Sequence, residues 1–211
     1  MEHSASFDLP QFMFSNFPGV DFGGDLFGQW PIGIRFEIGS AQVARATNLY
    51  EFVFGQAVDC ILISQEWSPD DHLAERFTQL FSTPGIFAIS PPTQFQSLAV
   101  SPLHESPYCL TWTRLPPLSF NVALMFQAIA NADLGGTPRI AGRVYLIDYR
   151  AKVIMHMYDD RGLDIIATNA SDLLPVYGRF NNWILEYERH RIEFRFKNFL
   201  AESRAQEGEM A

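Results

Sequence analysis

The chain of 211 residues has few cysteines, no long apolar run and, in its first third, few basic residues. Its two cysteines, Cys60 and Cys109, lie inside apolar strand-like stretches and are predicted to be buried small hydrophobic side chains rather than a disulfide. No apolar run approaches the roughly 20 residues that a membrane-spanning helix needs. The first residues, MEHSASFDLPQF, lack the basic-then-apolar layout of a secretory signal. The sequence therefore predicts a cytoplasmic protein that does not bind membranes.

Residues 1–75 contain 11 acidic residues but only two basic ones, Arg35 and Arg45. The whole net charge of −9 therefore lies in this third of the chain. Such a surface would repel phosphates, so nucleic-acid binding is not expected, whereas a basic protein partner would be attracted. A solvated acidic face that promotes solubility would have the same composition, and this alternative stays open. The candidate partner-binding acids are Asp21, Asp25, Glu51, Glu66, Asp70, Asp71 and Glu75.

Apolar residues make up 47 % of the chain, which is enough for one domain with a sizeable core. Residues 1–29 are rich in Phe, Gly and Asp, and we predict an irregular arm whose aromatic side chains pack on the core. Residues 30–205 are predicted to form a single domain, and residues 206–211 a frayed tail.

Alternating apolar and polar residues in PIGIRFEIG predict a half-buried strand, with Ile34 and Phe36 on one face and Arg35 on the other. Three consecutive strand-like runs, RVYLIDY, KVIMHMY and LDIIA, have short breaks between them and therefore predict an antiparallel meander. Further strands are predicted at 58–64 and 108–115. Helical spacing predicts helices at 41–54, 68–81, 119–130, 172–177 and 182–205. Trp183 is expected to anchor the last helix in the core. The predicted fold class is α+β, a largely antiparallel β-sheet with helices packed against it.

The stretch HMYDDRGLDI has two interpretations. As a turn between strands, it would use Asp159 or Asp160 to accept bonds from backbone N–H groups and Gly162 to adopt a positive φ, with Arg161 paired to a nearby acid such as Asp164. As a catalytic site, it would place the carboxylates of Asp159, Asp160 and Asp164 beside His156. The strand context favours the turn, because carboxylates at a hairpin tip are usually solvated.

The sequence lacks the spacings that metals, nucleotides and nucleophilic catalysis require. The five histidines are scattered, and there is no C-x-x-C, no P-loop, no G-x-S-x-G and no dinucleotide fingerprint. No metal, no cofactor and no catalytic residue is therefore assigned.

Several segments together resemble one family: PIGIRFEIG, RATNLYEFVF, the run from GGTPRIAGR through YDDRGLDIIA, and LLPVYGRFNNWILEYER. They are similar to the bacterial domain of unknown function 3885 over about residues 29–191. The resemblance implies a small bacterial protein and brings no catalytic residues. Such domains also resemble the immunity proteins that accompany secreted bacterial toxins.

Two classes of function follow as hypotheses. The first is a non-enzymatic immunity protein that binds a cognate toxin with a basic surface, through acidic and aromatic residues. The second is an enzyme that works through the region of His156, Asp159 and Asp160. A structural or small-molecule-binding domain is a third alternative.

Overall fold

The computed structural model describes residues 7–67, 80, 83–87, 96–100, 108–140 and 142–209. The strands in these residues are β1 (Gly33–Glu37), β2 (Cys60–Trp67), β3 (Gln96–Val100), β4 (Tyr108–Leu115), β5 (Arg143–Asp148), β6 (Val153–Met157) and β7 (Gly162–Ala167). The helices are α1 (Leu9–Asn16), α2 (Leu26–Gln29), α3 (Gln42–Phe54), α4 (Val122–Leu134), α5 (Ala170–Arg179) and α6 (Glu186–Glu209).

The strands form one seven-stranded sheet in the order β1-β7-β6-β5-β2-β4-β3, and every pair is antiparallel. The meander β5-β6-β7 lies in the middle and is joined by short turns, as predicted. Strand β1, from the N-terminal part of the chain, pairs with β7 at one edge of the sheet. The protein is therefore a single α+β domain, and the predicted fold class is confirmed.

The larger core lies between one face of the sheet and the helices α3, α4 and α5. Alternate strand residues such as Ile34, Phe36 and Leu146 point into this core, and the helices contribute side chains such as Tyr50 and Phe126. Burial of the apolar stripe on each helix against one sheet face is what holds these layers together. Among the described residues, no helix has both the length and the apolar character needed to cross a membrane.

The opposite face of the sheet is covered by residues 7–30, which we call the N-terminal segment. Its buried side chains, Leu9, Met13, Phe17, Phe22 and Leu26, pack on the outward-facing residues of β2 and β5–β7. The aromatics of this segment do pack on the core, as predicted. The prediction of an irregular arm is wrong for α1, because Asp8 caps the helix by accepting a 2.9 Å bond from the N–H of Gln11 and a proline occupies the first turn.

The last helix begins at Glu186 rather than near residue 182. Ile184 forms a β-bridge to Phe36, and the N–H of Leu185 donates to the carbonyl of Arg35 at 2.9 Å, so this stretch runs along the edge of β1 before the helix begins. Trp183 consequently lies in a short 3-10 turn and is half-buried. Most of the predicted helix over 68–81 lies outside the described residues.

Candidate functional site

Four polar side chains lie in one row across the sheet, on the face that the N-terminal segment covers. The antiparallel register places Arg35 of β1 opposite Asp164 of β7, Asp164 opposite His156 of β6, and His156 opposite Tyr145 of β5. Directly opposed residues on neighbouring strands point to the same face and contact each other. These four residues, here called the polar row, combine three positions of the meander with one from the distant strand β1.

Arg35 and Asp164 form a two-pronged ion pair in the polar row. Nε of Arg35 donates to Oδ1 of Asp164 at 2.7 Å, and Nη2 donates to Oδ2 at 2.8 Å. The side chain of Asp164 is 1 % exposed and that of Arg35 is 17 % exposed. Burial raises the pKa of Asp164 above its ordinary value, and the guanidinium opposes this rise. Although burial acts to lower the pKa of Arg35, its bonds and proximity to Asp164 raise it.

His156 is buried and neutral. Its ring stacks on Tyr145 with 4.1 Å between ring centroids, and its Nδ1 donates to the carbonyl of Val144 at 2.9 Å. This bond assigns the proton to Nδ1 and the lone pair to Nε2. Burial lowers the pKa of His156 to about 4, and the charges of Arg143 and Arg35 act in the same direction against the effect of the Val144 carbonyl. The imidazole is therefore not charged near neutral pH.

A cavity of about 320 Å³ lies beside the polar row, where residues 23–26 of the N-terminal segment pass over it. Arg143 lines the cavity and donates from Nη1 to the carbonyl of Gly23 at 2.5 Å. Asp25 accepts a bond from Nη2 of Arg35, and the N–H of Phe27 donates to Oδ2 of Asp164 at 3.4 Å. The polar row and Arg143 therefore attach the N-terminal segment to the sheet.

The polar row and Arg143 use their hydrogen-bonding groups to hold the N-terminal segment. His156 lacks the near-neutral pKa that a general acid or base needs. Burial raises the pKa of Tyr158, which also lines the cavity, to about 12. In the part of the chain that the structure describes, no three His, Cys, Asp or Glu side chains gather as ligands for a metal ion.

The aspartate-rich stretch forms the turn between β6 and β7. Oδ1 of Asp159 accepts bonds from the N–H groups of Arg161 and Gly162 at 2.8 and 2.9 Å. The predicted pair of Arg161 with Asp164 is wrong: Arg161 binds Asp159, with Nη2 2.6 Å from Oδ2, because Asp164 points to the buried face and binds Arg35. The contact of Arg161 with Asp160 is longer, with 3.9 Å between Nε of Arg161 and Oδ1 of Asp160.

Gly162 serves the turn in a different way from the one predicted. The backbone angle φ of Gly162 is not positive. A Cβ atom at this position would lie 1.7 Å from the hydroxyl oxygen of Tyr158, so the glycine lets that side chain cross the strand. The turn therefore depends on Asp159 for its backbone bonds and on Gly162 for the space beside Tyr158.

The described candidate acids do not form one patch. Asp21 accepts bonds from the N–H of Gly23 at 2.8 Å and from the hydroxyl of Tyr108, and Asp25 pairs with Arg35. These two lie in the N-terminal segment, whereas Glu51 is exposed on α3, on the opposite face of the sheet. Glu66 lies in β2, opposite Cys109. Three candidate acids lie outside the described residues: Asp70, Asp71 and Glu75.

The sequence interpretation named His156 and Asp164 but missed their partners Arg35, Arg143 and Tyr145. A signal for part of the site was present, because Asp164 is a lone charge within the apolar run LDIIA and Arg35 occupies the polar face of a half-buried strand. Two opposite charges in buried strands favour a pairing of those strands. Their row with His156 and Tyr145 depends on the register, which the sequence pattern leaves open.

Comparison with known proteins gives one family and one curated relative. The family model described as a domain of unknown function (DUF3885) matches residues 9–188. This match starts at residue 9 rather than near residue 29, so it includes most of the N-terminal segment. The uncharacterized protein YnaE of Bacillus subtilis (strain 168) is 27 % identical over 78 residues, which cover 34 % of this chain and 37 % of YnaE. No solved structure matches.

Proposed function

The chain belongs to the DUF3885 family, and we propose that it is a non-enzymatic, cytoplasmic immunity protein that binds and neutralises a cognate bacterial toxin. One observation carries this proposal. The polar side chains that the sequence offered for catalysis are engaged in bonds within the protein, whereas large aromatic side chains stand exposed on its helices. The first half of this observation argues against an enzyme, and the second favours a protein partner.

The alternative enzymatic site is divided in the structure. The carboxylate of Asp159 accepts bonds from the turn backbone, and that of Asp164 accepts bonds from Arg35. His156 is uncharged near neutral pH because burial lowers its pKa to about 4. A general acid–base pair needs a proton-binding group whose pKa lies near the working pH and which reaches the substrate. The arrangement of these residues therefore supports binding better than catalysis.

Exposed aromatic residues offer anchors for a partner. Tyr187 is 90 % exposed and Phe194 is 62 % exposed, and they lie seven residues apart on α6, hence on the same helix face. Phe14 on α1 is 77 % exposed. Tyrosine is enriched among the few residues that dominate binding energy at protein interfaces, and aromatic residues in general are enriched in interfaces. We propose that the α6 face with Tyr187 and Phe194 contributes such anchors.

The acidic first third supports a toxin with a basic surface. Residues 1–75 carry the whole net charge of −9, and the intramolecular pairing of Asp25 with Arg35 does not alter that sum. Exposed negative charge speeds encounter with a positively charged partner, and salt screens this effect. If the acidic residues are only a solvated face, the association rate with a partner would not depend on salt. Measurement of that rate at several ionic strengths therefore distinguishes the two alternatives.

The test is co-expression with the product of the gene immediately upstream. We expect that product to arrest growth alone, to be neutralised by this protein and to co-purify with it in a defined ratio. Purified components should associate more slowly as salt rises, and the triple change Asp70→Asn, Asp71→Asn, Glu75→Gln should lower the on-rate. An upstream product that is harmless, or toxic but neither bound nor neutralised, would contradict the proposal.

Two matched variants locate the contact. Tyr187→Ala and Phe194→Ala should each weaken the complex by about tenfold or more if they are anchors. Leu134→Ala removes a similarly exposed apolar side chain, 57 % exposed at the end of α4, and serves as the control. Equal effects of all three changes would argue that α6 is not the interface.

A further inference from the structure

The cavity beside the polar row extends from the protein surface down to the sheet. Its volume is about 320 Å³. His156, which lines it on the side of the sheet, is 3 % exposed, whereas Asp25, which lines it in the N-terminal segment, has a side chain that is 53 % exposed. We call this space the polar-row cavity.

His156 presents an unpaired hydrogen-bond acceptor to the polar-row cavity. Its Nδ1 donates to the carbonyl of Val144 and one face of its ring stacks on Tyr145, so the lone pair lies on Nε2. Within the described residues Nε2 has no donor, but water can reach it, so its lone pair opens to the cavity that the imidazole lines. A buried acceptor costs free energy unless a water or a ligand supplies the donor.

Arg35 supplies an unused donor to the same cavity. Its Nε and Nη2 bind Asp164 and Asp25, whereas Nη1 has no acceptor in the described part of the chain and is also within reach of water. The ring centroid of Tyr158 is 5.1 Å from Cζ of Arg35 and 6.4 Å from the centroid of the His156 ring. Because β7 separates β1 from β6, the backbones of Arg35 and His156 are about 10 Å apart. A ligand with its donor and its acceptor on different atoms therefore suits this pair better than a single hydroxyl group.

The charges around the polar-row cavity cancel. The carboxylates of Asp25 and Asp164 balance the guanidiniums of Arg35 and Arg143, and all four side chains line the cavity. His156 adds no charge near neutral pH, because burial lowers its pKa to about 4. A charged ligand would lose its hydration here without meeting an unbalanced opposite charge. The lining therefore favours an uncharged ligand.

We propose that the polar-row cavity binds a small uncharged molecule with an N–H donor and a carbonyl acceptor on separate atoms, such as a cyclic amide or imide. The N–H would donate to Nε2 of His156, and the carbonyl would accept a bond from Nη1 of Arg35. The cavity is about ten times larger than the roughly 30 Å³ that one water fills, and it lies at the lower end of the range for ligand pockets. Because residues 23–26 pass over the cavity, the ligand would also help to hold the N-terminal segment on the sheet.

Uracil is a suitable probe, because it is a small uncharged ring with both N–H groups and carbonyls. Calorimetric titration of the full chain should give saturable binding at one site. Dimethyluracil, methylated on both ring nitrogens, keeps the carbonyls but has no N–H, and it should bind about tenfold or more weakly, because it leaves a buried acceptor unmet. Thymine adds a methyl group but keeps both N–H groups, so it controls for size. Acetate, which could bind Arg35 alone, should not displace uracil at the same concentration.

Two measurements locate the bound ligand. In the parent protein, the nitrogen NMR signal of Nε2 of His156 should move upfield with uracil, as expected for an unprotonated ring nitrogen that accepts a hydrogen bond. His156→Phe keeps a ring against Tyr145 but loses the acceptor, and it should weaken uracil binding by about tenfold or more. His190→Phe makes the same change at an exposed position of α6 and should leave the affinity unchanged.

Several results would overturn the proposal. Absence of saturable uracil binding at millimolar concentration would mean that the cavity holds water only. Equal binding of uracil and dimethyluracil, or displacement of uracil by acetate, would rule out the bond to Nε2 or the preference for an uncharged ligand. An Nε2 signal that does not move at saturation, or unchanged uracil affinity in a folded His156→Phe variant, would place the ligand elsewhere. None of these results bears on toxin binding, so the ligand site and the proposed immunity function can fail separately.

Discussion

Removal of either partner of the ion pair between Arg35 and Asp164 should lower the free energy of unfolding, but by different amounts. Arg35→Met leaves the Asp164 carboxylate, 1 % exposed, without its cation, and we expect a loss of about 3–5 kcal/mol in the free energy of unfolding, as for other broken buried pairs. Asp164→Asn leaves a guanidinium that is 17 % exposed and still contacts Asp25, so the expected loss is smaller, roughly 1–3 kcal/mol.

The single variant Asp164→Leu and the double variant Arg35→Met, Asp164→Leu complete the double-mutant cycle with Arg35→Met, and this cycle measures the coupling. Replacement of both charges by apolar side chains leaves no unpaired charge, so the double variant should be more stable than Arg35→Met alone, with a coupling energy of roughly 2 kcal/mol. Equilibrium unfolding in urea, followed by circular dichroism and by tryptophan fluorescence at neutral pH, gives the free energies. Amide exchange at Phe27, which donates to Asp164, should speed up in both single variants if the N-terminal segment loosens.

The control is the surface pair of Arg114 with Asp59, in which the side chains are 34 % and 18 % exposed. Arg114→Met should cost about 1 kcal/mol or less, because solvent screens an exposed pair. If Arg35→Met costs no more than Arg114→Met, burial does not make the Arg35 pair important. Attachment of the N-terminal segment would then depend on its apolar side chains alone.

Three further predictions concern the turn, the buried histidine and the half-buried tryptophan. In chemical denaturation, Asp159→Ala should cost about 1–2 kcal/mol and Asp160→Ala about 0.5 kcal/mol or less, because only Asp159 accepts bonds from the turn backbone; equal costs would contradict this assignment. Since the folded-state pKa of His156 is lowered to about 4 from 6.5, the unfolded chain binds the proton first, and the parent protein should lose about 3 kcal/mol as pH falls from about 6.5 to 4. This component should be missing from the stability–pH profile of His156→Phe, and its persistence there would assign it to another group. Trp183→Ala should cost about 2 kcal/mol in thermal unfolding, less than a fully buried tryptophan, and a cost near zero would mark Trp183 as a partner contact.

Local sequence patterns predicted the strands of this fold well, apart from β3, and its helix boundaries less well. The meander β5-β6-β7 and the strand β4 follow from apolar runs and short breaks, which are properties of neighbouring residues. The start of α6 could not be predicted in the same way, because Ile184 and Leu185 bind the edge of β1, which is distant in the sequence. Helix α1 was predictable from the cap Asp8 and the proline after it, but the glycines farther along suggested an irregular arm.

The polar row could be predicted only in part, because it joins strands that the chain order separates. His156 and Asp164 belong to adjacent strands of the meander, so their proximity follows from the short turn at Asp159. Arg35 comes from β1, more than a hundred residues earlier, and its place beside β7 is a long-range choice. The alternation of apolar and polar residues in β1 does not indicate which strand pairs with it.

The ion pair supplies the information that alternation lacks. If β1 slipped by one residue along β7, every side chain would change face, and Arg35 would enter the apolar core in place of Ile34 and Phe36. A slip of two residues would keep the faces, so the apolar pattern alone barely resists it. It would, however, place Arg35 opposite Gly162 or Ile166 and leave the buried Asp164 without a cation. Because an unpaired buried charge is costly, the pair selects one register from those that the apolar residues allow. The register of the meander already aligns His156 and Tyr145 with Asp164, so the contact that fixes the edge strand adds Arg35 and completes the polar row.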